Sequence, residues 1–444
     1  MSSVQRIEGS LRTLFGQWAN EADDETHVIQ RLRKFSPSSI AQTFVFGFLA
    51  KPNASDEDLA KMAAAIGTNV SAQAVEQRYS QRFVDFLRIL FAKAITAAVS
   101  SQKPVAGILD QFADVQLLDS TVISLPAELA ETFPGCGGSH GGNAALKLQV
   151  QMSLKTGAFA GIRIEAGKDT DQATPMQQVT PEPGVLRIAD LGYFNTEVFA
   201  RYEQAGAFWL SPLLFPTNLY NAETGEPLAL TSWLEQRGPL VDERVLLGAK
   251  HKVACRLIAW RLPEEVANRR RQKLIEKRRK KGKSAPTKER LARCDWGLLV
   301  TNISAERLSM DEARVLYRSR WQIELLFKRW KSQGLVSDVS GGAIRGMVRL
   351  WSRLIGAVIQ QWLLIGTAWG DVRLSLVKAW ESIRQMSLSV ALSLSDPPGL
   401  ERVLESLSRV LSSTSRRNKR KRPSTFELLM NPDLLEYGTR QSLT

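Results

Sequence analysis

Three acidic side chains sit where the sequence pattern does not ask for acid. Asp119 interrupts the apolar run at residues 115–125, as Leu117-Leu118-Asp119-Ser120-Thr121. Asp190 closes the run at 186–190, as Ile188-Ala189-Asp190-Leu191-Gly192-Tyr193. Glu324 follows Tyr317-Arg318-Ser319-Arg320-Trp321-Gln322-Ile323, a segment rich in aromatic and basic residues. Carboxylates are hard oxygen donors of the kind Mg²⁺ takes, usually one or two per ion, with water and phosphate completing the shell. Two such ions about 3.5–4 Å apart can activate an attacking oxygen and stabilise a leaving one at a phosphodiester. Three carboxylates from two strands and a helix would suffice to hold the pair. A single strand-borne Asp is more often structural, so the combination carries the weight.

The third segment gains meaning from helix geometry. A long helix is expected over residues 311–331. At about 100° per residue, Tyr317, Arg320, Glu324 and Lys331 fall within about 60° of one another. Ile323, Leu326, Phe327 and Trp330 border that stripe, which places Glu324 at the rim of a cleft. The bland alternative is a surface ion pair between Arg320 and Glu324 at i,i+4 spacing, worth a few tenths of a kcal/mol.

The elements that must hold these residues can be read in outline. Residues 1–105 read as helical. Ser55 is placed to cap a helix over 56–66, with Asp56, Glu57 and Asp58 in its first turn. After Gly67-Thr68-Asn69-Val70, Ser71 opens a second helix through Gln81 or beyond. This is the outline of a helix-turn-helix, offering Gln73, Gln77 and Arg78 to DNA, and equally of an ordinary helical hairpin.

Strands are expected at 115–125, 145–154, 158–165 and 186–190, with Thr156-Gly157 turning the second into the third. The stretch 145–154 alternates apolar and polar residues, as a half-exposed strand does. A further strand is expected at 207–214. The pattern is that of an α/β domain with a ribonuclease-H-like opening, spanning 106–335. An insertion of mostly β character is expected at about 215–295, and helices to the C-terminus over 336–444. The apolar stretch 354–369 contains Gln360 and Gln361 and is too short to cross a bilayer, so it reads as a buried core helix.

The segment Tyr317-x2-Arg320-x3-Glu324-x6-Lys331 resembles, in every position, the Y-x2-R-x3-E-x6-K signature of bacterial DDE transposases of the insertion sequence four family. Asp190-Leu191-Gly192-Tyr193-Phe194 is similar to that family's second-aspartate motif, and Leu118-Asp119-Ser120-Thr121 to its first. The long gap between Asp190 and Glu324 is what an insertion at that point requires. The motifs cover some thirty residues, and the organisation about 110–335.

The resemblance implies a ribonuclease-H-like catalytic core with Asp119, Asp190 and Glu324 as the ligands of two Mg²⁺ ions, Mn²⁺ substituting. It also implies cut-and-paste transposition: binding of terminal inverted repeats, cleavage at the ends and joining of 3′-OH ends to target DNA. Tyr317, Arg320 and Lys331 would contact DNA near the cleavage point. The family also holds a flipped base on an aromatic residue of its insertion. Trp209, Trp233 and Trp260 are the candidates, and the sequence does not choose among them. Joining two ends implies a homodimer assembled on double-stranded DNA. The competing readings are a nuclease or resolvase without strand transfer, and a non-catalytic DNA-binding relative.

Composition agrees with a polyanionic partner. The 444 residues carry 59 Lys+Arg against 45 Asp+Glu, a formal charge of +14, with 44% hydrophobic and 23% charged residues. That composition is globular. Residues 269–290 hold twelve Lys/Arg and two Asp/Glu, and six of the seven residues at 416–422 are basic. The remainder of the chain is slightly acidic, so the excess is concentrated, which favours discrete contacts with nucleic acid. Charge runs are usually solvated faces. Even so, the density of the first run favours DNA-backbone contact by Arg269, Arg270, Arg271, Lys273, Arg278, Arg279 and Lys280.

Other classes fall away. Three scattered cysteines supply neither a disulfide framework nor a four-Cys zinc site. Cys136 with His140, and His251 with Cys255, lack further ligands. The glycine-rich stretch 135–142 lacks the Gly-Lys-Ser/Thr of a phosphate-binding loop, so no ATP is expected. Early acidic residues argue against a secretory leader. The expectation is a cytoplasmic, nucleoid-associated bacterial protein with no membrane partner.

Overall fold

The computed structural model describes residues 3–31, 34–97, 99–101, 105, 107–137, 143–336, 339, 341–371, 373–416 and 423–435. Helices α1 (Ser3–Phe15), α2 (Gln17–Thr26), α3 (Pro37–Ala50), α4 (Asp56–Ala65), α5 (Ala72–Glu76) and α6 (Gln81–Thr96) fill the N-terminal region. Strands β1 (Val115–Ser124), β2 (Ala145–Ser153) and β3 (Phe159–Ala166) follow. Then come helix α7 (Pro175–Gln178), strand β4 (Leu186–Ala189), helix α8 (Thr196–Gln204) and strand β5 (Phe208–Pro212). The next stretch holds β6 (Leu219–Asn221), α9 (Leu230–Arg237), β7 (Leu240–Leu247), β8 (Val253–Arg261), α10 (Glu264–Lys280), α11 (Lys288–Ala292) and β9 (Trp296–Thr301). Helices α12 (Met310–Ser319), α13 (Trp321–Ser332), α14 (Ala343–Ala368), α15 (Leu376–Ser393), α16 (Pro397–Thr414) and α17 (Thr425–Met430) complete the chain. The class is mixed α/β.

Two compact units are assembled from separate stretches. One comprises Met1–Gly107, Asp119–Asp169 and Trp321–Thr444; the other comprises Ile108–Leu118 and Thr170–Arg320. The boundary falls within β1, between Leu118 and Asp119.

In the second unit β4 lies parallel between the first half of β1 and β5, with Leu117 opposite Ile188 and Ile188 opposite Leu210. Strand β9 runs antiparallel to β5, and β8, β7 and β6 continue the sheet beyond it. Interior parallel strands are covered on both faces and read as apolar runs. That explains why the sequence signalled β4 and β5 so plainly. The interval expected to be mostly β is mixed, because α9, α10 and α11 hold more of it than its three strands. Its strands, moreover, extend the sheet of β5. The unit's core gathers Phe194, Phe199, Tyr202, Trp209, Leu257 and Trp296.

In the first unit α14 is the central helix, packed against α3, α6, α1 and α16. Every residue from Gly346 to Ile365 except Arg349 is buried. Its interior glutamines donate to backbone: Gln361 Nε2 to the Gly157 carbonyl at 2.7 Å and Gln360 Nε2 to the Trp380 carbonyl at 3.2 Å. This is the buried core helix expected at 354–369. No helix among the described residues is long and apolar enough to cross a membrane.

The β2–β3 hairpin turns at Gly157, whose φ of +74° and contact with the Trp369 ring exclude a side chain. Strand β2 departs from expectation. All nine of its residues are buried, because its polar members find partners inside. Lys147 Nζ donates to the Asp169 carbonyl and Gln149 Nε2 to Glu165.

Candidate active site

Each candidate carboxylate has a defined local setting. Asp119 sits on β1 just past the buried pair Leu117–Leu118, half-buried itself, and its Oδ1 accepts the Ser120 N–H at 2.8 Å. Glu324 lies in the first turn of α13, where the helix dipole favours negative charge. It is half-buried beside the inward-facing Ile323, Leu326 and Phe327. Neighbouring Gln322 anchors the helix through a 2.8 Å hydrogen bond to Thr425 Oγ1.

Asp190 caps the short turn Leu191–Tyr193 that follows β4, its Oδ1 accepting the Gly192 N–H at 2.7 Å. A Cβ on Gly192 would lie 2.9 Å from that oxygen and 3.3 Å from Asp171 Oδ2. The turn is therefore packed by carboxylates, and only glycine fits without displacing them. Tyr193 points inward against Leu118 and Met176.

Beneath the turn runs a polar network that residue patterning does not reveal. Arg187, only 5% exposed, reaches the Met176 carbonyl at 3.3 Å, the Tyr202 hydroxyl at 3.1 Å and Gln116 Oε1 at 3.2 Å. The Tyr202 hydroxyl donates to the Gln177 carbonyl at 2.7 Å, and Gln177 Nε2 donates to the Tyr193 carbonyl. Gln172 Nε2 holds the Phe194 carbonyl at 3.1 Å. Burial pulls the Arg187 pKa below its ordinary value and pushes that of Tyr202 up. The one signal in the sequence is an arginine inside a four-residue strand that is otherwise apolar.

The signature residues are carried on two helices rather than one. The continuous helix expected over 311–331 is interrupted at Arg320, whose N–H reaches the Tyr317 carbonyl at 3.2 Å, three residues back. The Ser319 hydroxyl donates to the Leu316 carbonyl at 2.6 Å, a back-bond that bends helices. The Arg320 guanidinium lies 5.8 Å from the Tyr317 ring centre. Lys331 is exposed in the last turn of α13.

Among the described residues no three His, Cys, Asp or Glu side chains are gathered closely enough to form a metal cluster. The donor chemistry nevertheless suits a hard divalent cation, and Asp190 is half-exposed with its carboxylate orientation fixed by a backbone N–H. Cys136 donates to the Gly167 carbonyl, and His140 lies outside the described residues. Cys255 is buried in β8, which pushes its thiol pKa up.

Of the three tryptophans, Trp209 is 1% exposed and stacked flat on Phe199, with ring centres 4.1 Å apart. It is a core residue and is withdrawn as a base-holding candidate. Trp233 is half-buried with Arg237 4.0 Å above its ring, and Trp260 is wedged between Gly297 and Arg314.

The first eight of the run's twelve cations lie on α10, whose exposed surface accounts for its lack of apolar periodicity. Several of its cations are engaged within the chain. Arg270 bonds the Trp296 carbonyl, Arg271 pairs with Asp295, and Arg278 holds Ser284. Arg269 Nε bonds the Glu265 carbonyl. Lys273, Arg279 and Lys280 are exposed and make no ion pair among the described residues. The second run lies outside the described residues apart from Arg416.

In the N-terminal region α4 forms under the expected Ser55 cap, which the structure completes as a capping box with Asp58, but α5 stops at Glu76. Gln73 is therefore on a helix, while Gln77 and Arg78 occupy the turn before α6. A cavity of about 680 Å³ opens there, bringing Arg31, Lys34, Arg78 and Arg82 together with no carboxylate among the described residues of its lining.

Residues 110–340 match the family model described as a transposase DDE domain. The chain is 26% identical over 349 residues to the transposase for insertion sequence element IS231F of Bacillus thuringiensis subsp. israelensis, covering 73% of this chain and 72% of the relative. It is 28% identical over 328 residues to the transposase for insertion sequence element IS1151 of Clostridium perfringens, covering 68% and 67% respectively. A piggyBac transposase synaptic complex with hairpin DNA aligns over 94% of this chain and 87% of its own, with 10% identity and a TM-score of 0.44.

Proposed function

The chain belongs to the family of insertion-sequence transposases with a DDE domain, enzymes that cut and join DNA with divalent metal ions, and on that footing we propose its working parts. Asp119, Asp190 and Glu324 are the metal-holding carboxylates of a ribonuclease-H-like core, and two Mg²⁺ ions are the natural complement, with Mn²⁺ able to substitute. The signature Tyr317-x2-Arg320-x3-Glu324-x6-Lys331 supports placing it in the insertion sequence four group. Its reaction is cut-and-paste: recognition of terminal inverted repeats, cleavage at the ends and joining of 3′-OH ends to target DNA.

The observation that carries this reading is the local presentation of Asp190. The carboxylate stands at the end of a parallel strand, held by a backbone N–H and half-open to solvent. The strand order β1-β4-β5, with β4 parallel to both neighbours, supports a ribonuclease-H-like core. Divalent ions, when bound, neutralise charge that develops on the scissile phosphate. The protein's part is to fix the carboxylates and the DNA. Asp119 and Asp190 are oriented by the N–H groups of Ser120 and Gly192. Tyr317, Arg320 and Lys331 supply a ring and two cations for the DNA near the cut.

DNA is also held by groups other than the carboxylates and the signature. Exposed Lys273, Arg279 and Lys280 on α10 suit backbone phosphates, as does the cation-lined cavity beside Gln77 and Arg78. Two element ends must be handled together, which calls for a homodimer on DNA.

The deciding experiment incubates the protein with DNA carrying its own element ends and Mg²⁺ or Mn²⁺, and follows both cleavage and joining. Glu324→Gln should abolish both while end binding persists. Cleavage without joining would instead identify a nuclease, and a wild-type protein that never cuts its ends would overturn the mechanism.

A further inference from the structure

Arg187 is a buried charge that no step of the reaction uses. Among the described residues it forms no ion pair with a carboxylate, and its partners are a carbonyl, a hydroxyl and an amide oxygen. Burying an unpaired charge is costly. Departures from such rules are expected at functional or strained sites. The location fits, since Arg187 stands on β4 three residues before Asp190 and faces Gln116 and Trp209 across the neighbouring strands.

Its contacts lead to the Asp190 turn by a short route. The guanidinium fixes the Tyr202 hydroxyl, that hydroxyl fixes the Gln177 carbonyl, and the Gln177 amide fixes the Tyr193 carbonyl. Tyr193 is the last residue of the turn that Asp190 caps. Arg187 also grips the Met176 carbonyl directly, so α7 is tied down beside that turn. Arg187, Gln177, Tyr193 and Tyr202 line one small cavity of about 20 Å³ with Asp190 itself.

We propose that Arg187 is a positioning residue for Asp190, acting through Tyr202 and Gln177 to hold the turn that presents the carboxylate to the metal. The inference rests on the reading of Asp190 as a metal-holding residue. Groups that orient metal ligands from behind usually contribute about 10- to 100-fold in metal affinity or activity when they are removed. Lysine keeps the charge of Arg187 but not its branched geometry, so it restores only part of the function.

The test uses the full chain bound to end DNA, with Mn²⁺ binding followed by electron paramagnetic resonance alongside single-turnover cleavage. Arg187→Met and Tyr202→Phe are each expected to weaken Mn²⁺ binding and slow cleavage by about 10- to 100-fold, with end-DNA affinity unchanged. Arg187→Lys should fall between these variants and the wild type. If Arg187→Met does not fold, Tyr202→Phe decides, because it removes one hydroxyl and keeps the ring. Wild-type Mn²⁺ affinity in Tyr202→Phe and in every folded Arg187 variant would overturn the proposal. Asp190→Asn separates the two claims. If it binds Mn²⁺ and cuts normally, the reading of Asp190 itself fails. If it is inactive while Tyr202→Phe is normal, only the positioning role fails.

Discussion

Gly192 and Asp190 are locked together at the end of β4: the Gly192 N–H donates to Asp190 Oδ1 at 2.7 Å, and a Cβ on Gly192 would sit 2.9 Å from the same oxygen. The hydrogen bond orients the carboxylate, and the missing side chain leaves room for it. Gly192→Ala would keep the N–H but push the carboxylate from its position. The expected result is a fall in cleavage rate of about 10- to 100-fold at unchanged end-DNA affinity. A single-turnover cleavage assay checks it, and a wild-type rate would show that the Asp190 orientation is not limiting.

The charge on α10 can be divided by what each cation already touches. Arg271 is committed to Asp295, whereas Lys273, Arg279 and Lys280 project from the helix. Replacing those three with Gln should reduce the slope of log K against log[salt] for end binding by about 0.9 for each phosphate no longer neutralised. Arg271→Gln should leave the slope unchanged and lower the Tm instead. Binding measured between low and moderate salt distinguishes the two, and an unaltered slope in the triple variant would remove α10 from the DNA interface.

The carboxylate positions were legible because each breaks a pattern. Asp119 and Asp190 interrupt or end apolar strands, and Glu324 belongs to a signature of fixed spacing. What the pattern could not show was where polar residues find buried partners. Lys147, Gln149 and Gln151 alternate with apolar residues in the way a solvated strand face does, yet all are inside. The break at Arg320 and the early stop of α5 at Glu76 depend on local hydrogen bonding, which residue periodicity does not encode. Arg187 was visible as an oddity in an apolar strand, but its role depends on Tyr202 and Gln177, and only the fold brings those to it.

Trp209 and Trp233 differ in burial within one hydrophobic cluster and should respond unequally to truncation. Trp209 is enclosed and stacked on Phe199, so Trp209→Ala should lower stability by about 3–5 kcal/mol. Trp233 is a partly exposed ring at the edge of the same cluster, and losing its cation–π contact with Arg237 costs about 0.5–1 kcal/mol on top of that lesser burial. Denaturant unfolding of both variants tests the contrast. A Trp209→Ala protein as stable as wild type would show that the ring is not a core element.

The cation-lined cavity ahead of α6 offers a test that does not involve the chemistry. Arg78 is anchored by its Nε to the Ala74 carbonyl at 3.3 Å and lies near the Phe35 ring, while Arg82 is exposed in the first turn of α6. With Arg31 and Lys34 they form a positive concavity that has no carboxylate among its described lining residues. Arg78→Gln combined with Arg82→Gln should weaken end-DNA binding and flatten its salt slope, again by about 0.9 for each phosphate that goes unneutralised. Cleavage of DNA supplied at saturating concentration should be preserved, since neither residue is among the carboxylates or the signature. If binding and slope stay at wild-type values, the N-terminal helices are an ordinary hairpin, and the hold on DNA lies elsewhere in the chain.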